Sequence, residues 1–229
     1  MKKLHIYTVF ATAALLLAGC GQQGGEGDKQ ADDAVSQDTI MVAEMTSMEL
    51  NVLPLPCSKE KISEAWKNIG EDDKSVAKEM DYRHSNPTFF ISADLDGDEL
   101  PEVILHGDAA HAAVLSYAND TLTTIAYVAH PQLGIALAEG GFVVRSGNIA
   151  PDVLLTEFVR LEKSQIVDAG MSAEKFNVKN KKFVSAGMRY QLKQGEEMVE
   201  VKKDEFLQRA PGNLTYLDAL EGWEDFRKP

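Results

Sequence analysis

The rhythm of apolar and polar positions changes repeatedly along the chain. An apolar run interrupted only by Thr12 occupies residues 9–18, and residues 21–39 are then rich in Gly, Gln, Asp and Ala with almost nothing large and apolar. Residues 40–55 carry scattered Met and Leu ending in Leu53-Pro54-Leu55-Pro56, which reads as an extended lead-in packed on the folded part. Helical spacing follows. Ile62, Ala65, Trp66 and Ile69 fall at i, i+3, i+4 and i+7, behind Ser58 as N-cap and with Glu60 in the first turn. Gly70 ends that helix, and Val76, Ala77 and Met80 predict a second over residues 72–80.

From Thr88 onward the pattern is that of strands. Runs of β-branched and aromatic residues are separated by turn signals at Asn119-Asp120, Gly140-Gly141, Gly147-Asn148, Asn180-Lys181 and Gly195. Val184, Ala186, Met188, Tyr190 and Leu192 alternate with polar or small residues, predicting one buried face of a strand that Gly195 turns back into residues 198–201. Two short helices are predicted to close the chain. One spans residues 204–209 and stops at Ala210-Pro211-Gly212; the other begins at the Thr215-x-x-Asp218 capping box and presents Leu217, Leu220 and Trp223. The expected fold class is α+β, an antiparallel β meander with N-terminal and C-terminal helices packed on it, since no alternating βαβ pattern occurs.

The first apolar run is not part of that fold. Lys2 and Lys3 precede it, it is too short to span a bilayer, and it ends Leu17-Ala18-Gly19-Cys20. This ending resembles a bacterial lipobox, which implies cleavage before Cys20 and acylation of its sulfur. The expected organisation is a lipoprotein signal peptide over 1–19, the lipidated Cys20 with a flexible tether over 20–39, and one α+β domain over 40–229. The resemblance implies a membrane-anchored protein of the bacterial cell envelope, and Gly21 rather than Asp after Cys20 points to the outer membrane. With Cys20 acylated, Cys57 has no intrachain partner and is expected to be a buried, inert thiol.

Charge narrows the function. The net charge of −13 becomes −15 once Lys2 and Lys3 leave with the signal peptide, which excludes nucleic acid as a partner. From Arg145 to the end, 14 Lys and Arg balance 14 Asp and Glu. Residues 84–144 contain no Lys or Arg, yet hold Asp94, Asp96, Asp98, Glu99, Glu102, Asp108, Asp120 and Glu139. Carboxylates crowded together raise one another's pKa unless a cation neutralises them.

The densest part is Asp94-Leu-Asp-Gly-Asp-Glu-Leu-Pro-Glu102, set between apolar runs at 89–91 and 103–105. Asp94, Asp96 and Asp98 stand at loop positions 1, 3 and 5 and Glu102 at position 9, a spacing that wraps oxygen ligands around Ca²⁺ with the Leu100 carbonyl at position 7. The loop resembles the D-x-D-G-D-x-x-x-[DE] calcium loops of FG-GAP and VCBS-type β repeats, and the D-x-D-G-D-x-x-P-E segment of bacterial envelope lipoproteins. The resemblance implies a structural Ca²⁺. Two positions depart from an EF-hand: Glu99 stands where a glycine is wanted, and Leu105 where the bidentate glutamate would be.

Three functions are compatible with these residues. The first is a non-catalytic binding or interaction module stabilised by Ca²⁺. The second is a metal-dependent envelope enzyme using His106, Asp108 and His111. The third is an accessory subunit contacting another envelope protein through Cys57 or the lead-in. His84 and His130 lie in turns beside prolines and add little. Ser-x-x-Lys occurs twice, from Ser58 and from Ser75, but lacks the companion motifs of penicillin-binding enzymes. The chain also lacks Gly-x-Ser-x-Gly, His-Glu-x-x-His and a phosphate-binding glycine loop, so the first reading is preferred.

Overall fold

The computed structural model describes residues 48–69, 86–107, 111–128, 132–179 and 182–228. The predicted signal peptide, Cys20, the tether, the helix at 72–80, and His84, Asp108 and His130 lie outside the described residues.

The fold is α+β and dominated by antiparallel strands in two sheets. The first sheet runs β1 (Asn51–Val52), β2 (Phe89–Asp94), β3 (Glu102–His106), β4 (Ala112–Ala118) and β5 (Thr121–Val128) in spatial order. The second continues the meander through β6 (Leu133–Ala138), β7 (Phe142–Ala150), β8 (Val153–Glu162), β9 (Gln165–Lys179), β10 (Lys182–Gln194) and β11 (Glu197–Val201). Two late strands return to earlier ones: β12 (Thr215–Tyr216) pairs with β6, and β13 (Glu224–Asp225) pairs with β2. The free edge of β2 is thus covered at both ends, by β1 against Ala93 and Asp94 and by β13 against Phe89 and Phe90.

Alternation of side chains builds four layers. Ile91, Ala93, Ile104 and Val114 on one sheet and Ile135, Leu137, Val143 and Val159 on the other form the core between the sheets. The outer face of the first sheet is covered by α1 (Lys59–Lys67), whose Ile62 and Trp66 pack on Val103, Leu105, Ala113 and Leu115. Ser58 caps this helix as the spacing predicted, accepting the Lys61 N–H at 3.4 Å. The outer face of the second sheet is covered by α2 (Lys203–Arg209), whose Phe206 stacks on Phe158 and Tyr190. Full burial of side chains such as these contributes roughly 1.5–3 kcal/mol each.

Three details differ from the sequence expectation. The capping-box segment is not a helix: Thr215 and Tyr216 form β12, and Leu217–Ala219 is one 3₁₀ turn. The hydrogen bonds available from β6 outweigh the local capping pattern, while Leu217 and Leu220 still reach the core. The alternation in β10 does not hold along its whole length. A bulge between Ser185 and Gly187 shifts the register, so Tyr190 and Leu192 are buried while Val184 and Ala186 are exposed. Cys57 is half-buried against the α1 cluster, and that burial raises its thiol pKa.

Candidate metal centre

The acidic loop connects β2 to β3 and is shaped by its own carboxylates. Asp94 Oδ1 accepts the N–H groups of Gly97 (2.7 Å) and Asp98 (3.2 Å), and its Oδ2 accepts that of Glu99 (3.1 Å). Asp96 Oδ1 accepts the Asp98 N–H at 3.2 Å, and Asp98 Oδ1 accepts the Leu100 N–H at 2.7 Å. These bonds hold two left-handed residues, Gly97 at φ 80° and Glu99 at φ 66°. Glu99 therefore makes the turn that EF-hand loops give to glycine, at a cost of roughly 1–2 kcal/mol offset by the hydrogen bond to Asp94.

Glu102 enters from the first position of β3 and has no solvent exposure. Its Oε2 accepts the Leu95 N–H at 3.1 Å. The sequence did not reveal the partner of its other oxygen. The two-residue turn between β8 and β9, Lys163-Ser164, inserts from the second sheet, and the Ser164 hydroxyl lies 3.3 Å from Glu102 Oε1 and 3.2 Å from Asp98 Oδ2. The Ser164 N–H donates to Asp96 Oδ2 at 2.9 Å, and its carbonyl accepts the Ser116 hydroxyl at 2.9 Å. Gly141 closes the contact: a Cβ there would stand 2.9 Å from that of Asp96 and 2.7 Å from the Leu161 carbonyl. Both turn residues have positive φ, 53° and 56°, in a hairpin turn that usually advertises itself as Asn-Gly. Lys-Ser carries no such signature, so the partner was invisible in the sequence.

One ligand oxygen from each of Asp94, Asp96 and Glu102 lies within 4.8 Å of the others. Asp98 borders this set with its oxygens turned to Leu100 and Ser164, and Leu100 is exposed at the loop surface. No described Lys, Arg or His pairs with Glu102. Burial, aided by the charges of Asp96 and Asp98 and opposed by the Leu95 N–H and Ser164 hydroxyl, pushes Glu102 up to about 7. Burial likewise raises Asp96, with Asp98 and Asp94 adding to the effect against the Ser164 N–H. Three converging oxygens in a site with no cation among the described residues suit a hard divalent ion.

The alternative histidine set lies elsewhere. His106 ends β3, paired with Ala112, and its ring meets Trp223 edge-on at 5.9 Å. His111 directly precedes β4, and its carbonyl accepts the Gly107 N–H at 2.8 Å. Glu102 and His106 thus occupy opposite ends of one strand, roughly 13 Å apart at the ordinary rise, and form no common centre. The cavity beside His106, lined also by Val128, Leu133 and Tyr216, holds about 90 Å³. Larger grooves of about 670 Å³ between α1 and Phe226, and about 490 Å³ beside α2, do not include the acidic loop.

Comparison with protein-family models, with curated proteins and with solved structures finds no match. No helix among the described residues is long and apolar enough to cross a membrane.

Proposed function

We propose that this chain is a lipid-anchored protein of the bacterial cell envelope whose folded part is a non-catalytic interaction module stabilised by Ca²⁺. One observation carries the metal: Asp94, Asp96 and Glu102 converge within 4.8 Å around a fully buried carboxylate that no cation among the described residues pairs with. These three residues would hold the ion, with Asp98 bordering them through the Ser164 hydroxyl. A bound divalent ion supplies positive charge where the described residues place none, and no reaction is assigned to it. Its second effect is mechanical, because Ser164 is hydrogen-bonded to Asp96, Asp98 and Glu102. An ion that orders these carboxylates also clamps the β8–β9 turn, joining the two sheets at this end. An affinity on the order of 10⁻⁴ to 10⁻³ M is ordinary for extracellular Ca²⁺ modules. The anchor rests on the Leu17-Ala18-Gly19-Cys20 ending of the first apolar run.

Elemental analysis of the purified protein, with and without chelator, tests the site. About one Ca²⁺ per chain that chelator removes, with a lower melting temperature afterwards, is the expected result. Identical melting in Ca²⁺ and chelator with no bound metal would reject it. Mass spectrometry of the membrane-extracted chain tests the anchor, which requires an acylated N-terminal Cys20.

A further inference from the structure

The two ends of β9 adjoin segments of different charge. At its start Gln165 follows Ser164, which sits on the acidic loop; at its end Lys179 lies fourteen steps further, roughly 45 Å along an extended strand. Past the pair Val153–Lys175 there is no further β8, and β11 reaches only as far as Tyr190. Phe176 N–H still donates to the Asp152 carbonyl at 2.7 Å, and beyond it three further pairs, Asn177–Val184, Val178–Phe183 and Lys179–Lys182, continue as a ribbon of β9 and β10 alone.

This ribbon is chemically unlike the rest of the chain. Residues 175–189 include Lys175, Lys179, Lys181, Lys182 and Arg189 and no Asp or Glu, in a protein of net charge −13. The register places positions 175, 177, 179, 182 and 184 on one face of the ribbon and positions 176, 178, 183 and 185 on the other. Val184 is 45% exposed, and Ile149, in β7 close to the same end, is 38% exposed. A two-stranded ribbon is marginal in water on its own. Basic residues beside exposed apolar ones fit the boundary between water and anionic headgroups, where lysines meet phosphate and apolar side chains enter the acyl region. The opposite end, with Asp94, Asp96, Asp98, Glu99 and Glu102, is repelled by the same surface. The charge distribution therefore turns the molecule ribbon-first towards a negative membrane.

We propose that the β9–β10 ribbon docks on the surface of an anionic lipid bilayer, a membrane contact separate from any acyl chain on Cys20. The test places a tryptophan at each end of β9 in the full chain, as Val184→Trp or as Val167→Trp, which is exposed near the acidic end. Each variant is mixed with vesicles of brominated phosphatidylcholine, alone or with about one third brominated phosphatidylglycerol. The signal of Trp66 and Trp223 is subtracted using the parent chain.

The added fluorescence of Val184→Trp is expected to be quenched on the anionic vesicles and not on the zwitterionic ones. That quenching should vanish near 1 M salt, where the Debye length falls to about 3 Å. It should also vanish when Lys175, Lys179 and Lys182 are changed together to Glu, with circular dichroism confirming the fold. Val167→Trp should be unquenched on either vesicle. The readout reports which end faces lipid, so it holds whether or not Cys20 is acylated. Absence of quenching on anionic vesicles, equal quenching on both vesicle types, persistence at high salt, or equal quenching of Val167→Trp would each overturn the proposal.

Discussion

Glu102 on β3 and Glu157 on β8 are both glutamates buried within a sheet, and the protein treats them in opposite ways. Glu157 has its own cation: Arg145, directly across the β7–β8 ladder, holds Oε2 through Nε at 2.7 Å and through Nη2. Burial raises the Glu157 pKa and the guanidinium opposes that rise, while Oε1 has no hydrogen-bond partner among the described residues. Among the described residues Glu102 has a backbone N–H and a serine hydroxyl as partners and no cation. A buried carboxylate with an internal cation is complete as the chain folds. One without must take a proton or an ion from solution, and so becomes sensitive to both.

The largest effect should come from breaking the self-sufficient pair. Arg145→Met leaves Glu157 buried and unpaired and should cost about 3–5 kcal/mol in urea unfolding, by the same amount in Ca²⁺ and in chelator. Adding Glu157→Met should restore most of that loss, because the desolvated charge is gone. A Ca²⁺-dependent cost would break the comparison.

Ca²⁺ itself should come next. At a hundredfold excess over Kd it should raise stability by about 2.7 kcal/mol, and Asp94→Ala or Asp96→Ala should abolish that gain. Without metal the same variants should still cost about 1 kcal/mol or more, because Asp94 accepts the Gly97, Asp98 and Glu99 N–H groups and Asp96 those of Asp98 and Ser164. It is the Ca²⁺ dependence that should disappear. Mg²⁺ should substitute poorly because it demands tight octahedral geometry.

Protons give a third measure. In the metal-free folded protein Glu102 titrates at about 7, against about 4.3 in the unfolded chain. Between those values the folded state holds a proton that the unfolded state has lost. The contribution is therefore complete below the lower value and disappears as pH rises through the upper one. Metal-free stability should fall by on the order of 1–3 kcal/mol from pH 4 to 8. Saturating Ca²⁺ or Glu102→Gln should reduce the slope, and only the Ca²⁺ effect should be lost in Asp94→Ala.

The smallest effect concerns the turn between the sheets. Ser164→Ala removes the hydroxyl shared by Asp98 and Glu102 and should cost about 1 kcal/mol. It should also move the pH midpoint of Glu102 further up, readable by NMR titration of its carboxyl carbon. An unchanged midpoint would show that Leu95 alone sets the polarity of the site.

Much of the fold was legible because it follows from local chemistry. Ser58 with Ile62 and Trp66 specified a capped helix with one buried stripe, and α1 is that helix. Asn119-Asp120, Gly140-Gly141 and Gly195 lie at hairpin turns with positive φ, as their residue types suggested. The misreadings occurred where a partner distant in sequence decided the outcome. Thr215 spells a helix cap but finds β6, and Val184 continues an alternation that a bulge at Ser185–Gly187 reverses.

For the candidate site the division follows the same physics. The alternating carboxylates of Asp94, Asp96 and Asp98, with Glu102 at position 9, are a local pattern, and the turn they form is made by hydrogen bonds spanning two to five residues. Tertiary structure alone decided that Glu102 is fully buried, that no described cation reaches it, and that Ser164 meets it from 62 residues away. Nothing near Lys163-Ser164 announces that contact, because the hydroxyl is recruited only when the two sheets pack. The sequence by itself determined which oxygens are offered; the packing of one sheet on the other determined how little water they keep, and with it how strongly they call for a cation.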